Sequence, residues 1–358
     1  MSASRGKVIV GMSGGVDSSV AALLLKEQGY DVIGITMEIW PQADPLVCEA
    51  EGGCCGFSAS EDARAVASVI GIAHYVMNFR RDFEQSVIAD FVREYRNGRT
   101  PNPCIVCNRA VKWEALLQKA LALGADYIAT GHYARVAKLK SGRYTLFHAD
   151  ADKDQTYALY SLTQAQLAHT LMPCGQYKKD EVRRIAEEAH LPVAHKPDSQ
   201  DICFVPDGDY ASFISSYTGE QDCPGHFVDE SGQILGQHKG ITHYTVGQRK
   251  GLGLAMGRPV YVREIRPETN EVVVGGDKLQ RVVKAHRINM MALPDLPAET
   301  PVTAKIRYNH RGAPARAFMS GEDEITCIFD EPQRAVTPGQ SLVLYDDSGC
   351  VLGGGIID

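Results

Sequence analysis

A chain of 358 residues that is 44% hydrophobic and 23% charged is long enough for two or three globular domains. It has no run of eighteen apolar residues, and MSASRGK leads into the first apolar run without a signal-peptide core. A membrane span and secretion are therefore excluded at this level, and a cytoplasmic protein is expected. The formal net charge of −7 argues against indiscriminate nucleic-acid binding, although a local basic surface remains compatible with it. Ten cysteines in so large a chain read as thiols, catalytic groups or metal ligands rather than as a disulfide framework.

The first elements are the most informative. Val8, Ile9 and Val10 read as a buried strand, and Ser18 to Gln28 as a helix with Val20, Leu23, Leu24 and Leu25 inward. Between them lies Gly11-Met12-Ser13-Gly14-Gly15-Val16-Asp17-Ser18. Adjacent glycines let the backbone turn its N–H groups toward a ligand, and the serine hydroxyls and the positive end of the helix favour an anion such as phosphate. The spacing and the lysine of GxxxxGK[ST] are absent, as is GxGxxG. The loop resembles the SGGxDS pyrophosphate loop of the ATP pyrophosphatases, which make AMP-activated intermediates.

Gly29 suits the end of the first helix, and Asp31 to Met37 reads as the next strand, completing a right-handed βαβ unit. Met37, at the carboxyl end of that strand, is placed either to touch a nucleotide base or to fill the core. Cys48, Cys54 and Cys55 fall in a loop-like stretch and have no partner CxxC nearby. Ser60 is the expected N-cap of a helix through Ile70. His74 to Phe79 is a third strand, and Asp82 to Tyr95 a helix with Phe83, Val87, Ile88, Phe91 and Val92 inward. This alternation predicts an open, doubly wound parallel-sheet α/β domain.

In Arg99 to Trp113 two prolines enforce an extended loop, after which Cys107 lies near the start of a helix running to about Leu123. That position, with Arg109 and Lys112 nearby in sequence, is the setting of a reactive thiolate. A structural zinc half-site would need a second CxxC at short spacing, and there is none. Asp126 to Arg135 supplies a strand entering Gly131 and His132, where glycine permits close approach to a nucleotide. Arg135 to His148 is a hairpin, followed by helices around Thr163–Leu171 and Lys178–Ala189. The second of these presents Lys178, Lys179, Arg183 and Arg184 as either a solvated face or a phosphate contact. Asp198 to Phe204, with Cys203, closes the domain. From Asp207 frequent Gly and Pro mark a small central domain, and the last segment has alternating short strands without a long helix, as a small β-barrel would. The expected boundaries are 1–206, 207–280 and 281–358.

GMSGGVDSS, TPNPCIVCN, TGHYAR, KDQ, ICF, YTVGQRKGLG, TPGQ and GGGII occur in one order along nearly the whole chain, and in that order they closely resemble the tRNA-specific 2-thiouridylases. The resemblance implies an ATP pyrophosphatase domain, a central domain and a C-terminal β-barrel that contacts tRNA. It implies that ATP is bound by Gly11 to Ser18, Met37 and Gly131. Cys107 becomes the nucleophile and Cys203 the persulfide carrier. Asn102, Pro103 and Cys104 meet the target base, while Lys153, Asp154, Gln155, Arg307 and Tyr308 contact tRNA. A sulfur-donor protein, a cysteine desulfurase or persulfide relay, is also implied. Asp17 is the natural carboxylate to organise Mg2+ near phosphates. Many members carry aspartate where this chain has Cys104, so Cys104, Cys107 and Cys203 form three candidate ligands for a 4Fe-4S cluster, as in some relatives. Two further readings remain at this level: an amide-forming synthetase that adenylates a carboxylate, and an RNA- or nucleotide-binding module without turnover.

Overall fold

The computed structural model describes residues 4–39, 57–149, 153–198 and 202–358, so Cys48, Cys54 and Cys55 lie outside the described residues. The chain folds into two compact units. One comprises Met1–Val87, Cys104–Pro206 and Ser348–Val351, and the other Ile88–Pro103, Asp207–Asp347 and Leu352–Asp358.

The first unit is built on a five-stranded sheet of β1 (Lys7–Gly11), β2 (Asp31–Glu38), β3 (Ala73–Asn78), β4 (Tyr127–Ala129) and β7 (Thr170–Leu171), in the order β3-β2-β1-β4-β7. Every pairing is parallel. Val8, Ile9 and Val10 are fully buried in the central strand, which explains its unbroken apolar run. The chain proceeds outward from β1 to β2 and β3, then returns to β4 on the other side, so the order reverses between β1 and β4. In such sheets the crevice beyond the carboxyl ends of those two strands receives the ligand. Helix α1 (Val16–Glu27) buries Val20, Leu24 and Leu25 as expected, together with Ala21, whereas Leu23 is only partly buried.

Several boundaries differ from expectation. Helix α2 spans Phe57–Ile70, so Ser60 lies within its first turns rather than at its N-cap. The helix expected from Asp82 begins at Arg80, contains a wider turn at Glu84–Ile88 and ends at Arg96. The short strand β7 occupies the end of the span expected to be helical. The helix there stops at Ala168 after a capping box at Thr163, and two residues then pair with Ile128 and Ala129. Between β4 and β7 lies the expected hairpin of β5 (Ala134–Lys138) and β6 (Tyr144–His148).

The second unit holds a helix, Tyr210–Thr218, and a four-stranded sheet ordered β10-β11-β8-β9, where β8 is Gly225–Val228, β9 Ile234–His238, β10 Tyr261–Arg266 and β11 Glu271–Gly275. It also holds a closed barrel ordered β12-β15-β14-β13-β16-β17. Its strands are β12 (Leu279–Met290), β13 (Thr300–Lys305), β14 (Ala313–Gly321), β15 (Glu324–Arg334), β16 (Ser341–Tyr345) and β17 (Val351–Ile357). Closure removes the exposed edges that so short a set of strands would otherwise present. The sequence of strand β12 alternates poorly, and its place in the barrel is set by its pairing with β15 and β17.

Candidate active site

The loop that follows β1 stands at the sheet's switch point and is fixed from both sides. The Met12 N–H donates to Ile35 O at 2.8 Å, and Thr36 Oγ1 donates to Met12 O at 2.9 Å. The Met12 side chain is buried, and its sulfur fills the space that Gly34 leaves by lacking a Cβ. Met12 therefore anchors the loop to β2. Ser18 Oγ accepts from the Ser13 N–H at 3.1 Å and donates to Gly15 O at 3.2 Å, while Ser19 Oγ donates to Gly15 O at 2.8 Å. The hydroxyls thus close the loop on itself, and no side chain caps the helix at Gly15. The first N–H groups of this twelve-residue helix, which have no intrahelical acceptor, are left without a side-chain cap, an arrangement that suits an anion.

Two glycines are fixed by the chain itself. Gly14 has φ +67°, and a Cβ there would come within 2.4 Å of Ala59 O. A Cβ on Gly131, just past β4, would meet the backbone of Asp17 and Ser18 at 2.4 to 2.7 Å. Gly131 therefore lets the end of β4 lie directly on the N-terminus of α1. Met37, partly buried near the end of β2, pairs in register with Met77 of β3.

Asp17 is the electrostatic centre. Its Oδ1 accepts from Tyr133 Oη at 2.7 Å and from Lys179 Nζ at 2.6 Å, and Cys174 Sγ donates to its backbone oxygen at 3.3 Å. Lys179 also lies 2.8 Å from Asp198 Oδ1, which Arg183 reaches at 2.9 Å and Lys153 pairs through the other oxygen. Burial of Asp198 opposes its ionisation, but the bonds from Lys153 and Lys179 prevail and hold the carboxyl at about 2. Lys196 Nζ donates to Gly14 O at 3.2 Å and to Asp62 at 2.7 Å. In the sequence Lys179 stands out only as part of a basic helix face, and neither Tyr133 nor Asp198 is marked as a partner of Asp17 or Lys179. Their separation from Asp17 along the chain leaves no local signal beyond the start of a basic helix and the TGHY turn.

Cys104 lies exposed in the first turn of a helix that begins at Pro103, beside the half-buried Asn102 and the buried Pro103. Cys107 is half-buried one turn further on, where the helix widens through Cys107–Leu116, so it stands inside the helix rather than at its start. This stretch is pinned by Asn108 Nδ2 to Ala158 O at 2.9 Å and by buried Trp113, whose Nε1 donates to Thr170 Oγ1 at 2.7 Å. Lys112 donates to Asn108 Oδ1 at 2.9 Å. His132 lies against Trp113 and 2.7 Å from Thr130 Oγ1, and burial, aided by Lys112, pushes its pKa well below the ordinary histidine value. Cys203 is half-buried in a turn closed by Val205 N–H to Ile202 O and anchored by Phe204, which packs edge-on to Phe83. Among the described residues no three His, Cys, Asp or Glu side chains form a metal-holding group, so the three-thiolate set is not assembled.

Lys153 is exposed, whereas Asp154 and Gln155 are engaged within the chain. Asp154 pairs with His148 at 3.0 Å and accepts from Thr156 Oγ1, and Gln155 Oε1 accepts from the Tyr133 N–H at 2.9 Å. In the second unit, Arg307 is half-buried and Tyr308 exposed on the loop after β13, which a bond from His310 N–H to Arg307 O turns.

Residues 6–207 match the family described as the tRNA methyl transferase HUP domain, residues 211–276 the tRNA methyl transferase PRC-barrel domain, and residues 280–357 the aminomethyltransferase β-barrel domain. The chain is 59% identical over 355 residues to the tRNA-specific 2-thiouridylase MnmA of Lachnoclostridium phytofermentans, covering 98% of this chain and 99% of that one. It is 54% identical over 361 residues to the protein of that name from Clostridium botulinum strain Alaska E43, covering 100% and 99%, and 53% identical over 356 residues to that of Clostridioides difficile strain 630, covering 98% of each. With the glycine loop at the switch point, Gly131 against it and two half-buried cysteines in the same unit, the chain belongs to the tRNA-specific 2-thiouridylase family.

Proposed function

We propose that this protein is a cytoplasmic tRNA-uridine 2-sulfurtransferase that uses ATP to place sulfur on carbon 2 of the wobble uridine. The observation that carries the reading is the uncapped N-terminus of α1 at the β1/β4 crevice, closed by Gly131 and bearing Asp17, in a chain with full-length relatives named for this reaction. The loop's backbone donors and hydroxyls fit a nucleotide's phosphates, and Asp17 is the carboxylate that would hold Mg2+, which when bound neutralises phosphate charge.

A carbonyl oxygen is a poor leaving group and must first be activated. In the proposed reaction the uridine O2 attacks the α-phosphorus, the bond to pyrophosphate breaks, and the N3 proton is released. The outer sulfur of a Cys203 persulfide then attacks carbon 2, and AMP leaves with the oxygen. The Cys107 thiolate attacks Cys203 Sγ, so the sulfur–sulfur bond breaks, the sulfur stays on carbon 2, and N3 regains a proton. A Cys107–Cys203 disulfide forms, which an external dithiol reduces before a sulfur-donor protein reloads Cys203. Asn102, Pro103 and Cys104 would meet the base, and Lys153, Arg307 and Tyr308 the remainder of the tRNA. Asp154 and Gln155 would act there by shaping the segment that carries Lys153. A 4Fe-4S route through Cys104, Cys107 and Cys203 requires three thiolates at one centre, an arrangement the described residues do not form.

Incubation with ATP, unmodified tRNA and a persulfide donor tests the reading. AMP, pyrophosphate and 2-thiouridine are expected. Cys203→Ser should still release pyrophosphate in a first turnover but form no thiouridine. Cys104→Ser should retain thiolation in iron-free buffer, and activity that appears only after iron and sulfide reconstitution and vanishes in Cys104→Ser would replace the persulfide route by the cluster. ADP and phosphate as products would remove the assignment. Pyrophosphate release without tRNA dependence would point to an amide-forming synthetase, and no release to a binding module.

A further inference from the structure

The phosphate loop lacks a cation of its own: from Gly11 to Ser19 there is no lysine or arginine, and Asp17 adds a negative charge. A magnesium-bound triphosphate is still anionic, so a site built only from N–H groups, hydroxyls and a carboxylate is electrostatically incomplete. Two lysines reach the loop from elsewhere in the same unit. Lys196 is committed to the Gly14 carbonyl and to Asp62, and its withdrawal would leave both without it. Lys179 is differently placed. Its side chain is only 13% exposed, and it is shared between Asp17 and Asp198. Asp198 keeps Arg183 and Lys153 if Lys179 turns away, and Asp17 keeps the Tyr133 hydroxyl and would exchange an ammonium for the metal ion. The ammonium is thus half-buried, adjacent to the loop and able to leave either carboxylate without stranding it.

We propose that Lys179 is the phosphate-binding cation of this site, delivered from the start of the helix Lys179–Glu188 to the β and γ phosphates of ATP, with Asp198 as the residue that positions it. This rests on the reading of Gly11–Ser18 as the ATP loop. It replaces the lysine that a GxxxxGK[ST] loop carries within its own turn by one supplied 162 residues away from Asp17. An ammonium serves here as a point charge on a flexible stem, which suits a partner exchange between carboxylates and phosphate.

Equilibrium binding of ATP and of AMP, measured without tRNA and with magnesium present, separates the outcomes. Lys179→Met should weaken ATP by about tenfold or more, the worth of a charge-assisted bond, and leave AMP within about twofold, since AMP lacks the β and γ phosphates. Lys179→Arg should recover part of the ATP affinity, and Asp198→Asn should weaken ATP less than Lys179→Met does. Lys178→Ala, one residue away and exposed, should change neither. Unchanged ATP affinity in Lys179→Met overturns the proposal, as does an equal loss of ATP and AMP, which would make the lysine a support of the loop's fold. Gly14→Val measured alongside keeps the premise separate. If it too binds ATP normally, the loop reading fails, and if it alone loses ATP, only the assignment of Lys179 fails.

Discussion

At the scale of single residues, the glycines of the loop answer first to the protein and then to the ligand. A methyl group on Gly131 would press on the backbone of Asp17 and Ser18, which are not flexible side-chain ends and cannot yield cheaply. Gly131→Ala is therefore expected to lose about 1–3 kcal/mol of stability through overpacking and to weaken ATP binding by displacing the start of α1. Thermal melting and nucleotide titration check both, and an alanine variant with wild-type melting and affinity would refute the contact. The cysteines divide by burial. The Cys174 thiol is fully buried, and burial together with Asp17 pushes its pKa up; burial alone takes Cys327 up to about 12. Native-state alkylation at mildly alkaline pH should label Cys104 and Cys107 and spare Cys174 and Cys327 until the chain is denatured, as peptide mass mapping would show.

At the scale of elements, the helix carrying Cys104 and Cys107 is held by Asn108 and Trp113, so the cysteines stand on a rigid support rather than on the extended loop before it. Trp113→Phe should keep the apolar filling and lose the bond to Thr170. It is expected to cost about 1 kcal/mol and to slow thiolation more than adenylation, read by comparing thiouridine with pyrophosphate yield. The loop after β13 has the opposite character, with Tyr308 projecting at 41% exposure beside Arg307. A guanidinium and a ring together suit phosphate and base contact. Arg307→Ala should weaken tRNA affinity and reduce its logarithmic salt slope by about one, with ATP affinity unchanged. An unaltered salt slope would leave that loop without the role.

At the scale of the whole molecule, several groups lower stability on the acid side. Burial lowers the pKa of His132, with Lys112 adding to it, and burial also lowers that of His74, with Arg64 adding to it. Below the ordinary histidine value of about 6.5 the unfolded chain then binds more protons than the folded one, so stability rises with pH in that window and is lost as pH falls through it. Asp198 acts in the same direction lower down. Its folded value of about 2 contributes stability above the ordinary carboxylate range, and that contribution disappears as pH falls from about 3.8 to about 2. Denaturant unfolding of the first unit across pH should show the upper loss reduced in His132→Asn and the lower one reduced in Asp198→Asn. Profiles that match the unsubstituted protein would contradict the depressed values.

The sequence by itself determined what depends on near neighbours. The apolar run Val8–Val10, the glycine turn, the helix after it and the alternation of strand and helix placed the glycine loop and the sheet class, because backbone freedom and side-chain period act over a few residues. Cys107 and Cys203 stood out through their local motifs. The tertiary structure decided what depends on closing long loops. It brought Tyr133 and Lys179 to Asp17, added Asp198 to Lys179, pressed Gly131 onto α1, and assigned Gly14 to contact with Ala59. It also decided the small strands β7 and β12, since a strand this short or this weakly alternating is defined by the partner that completes its hydrogen bonds, and that partner is far away in the chain.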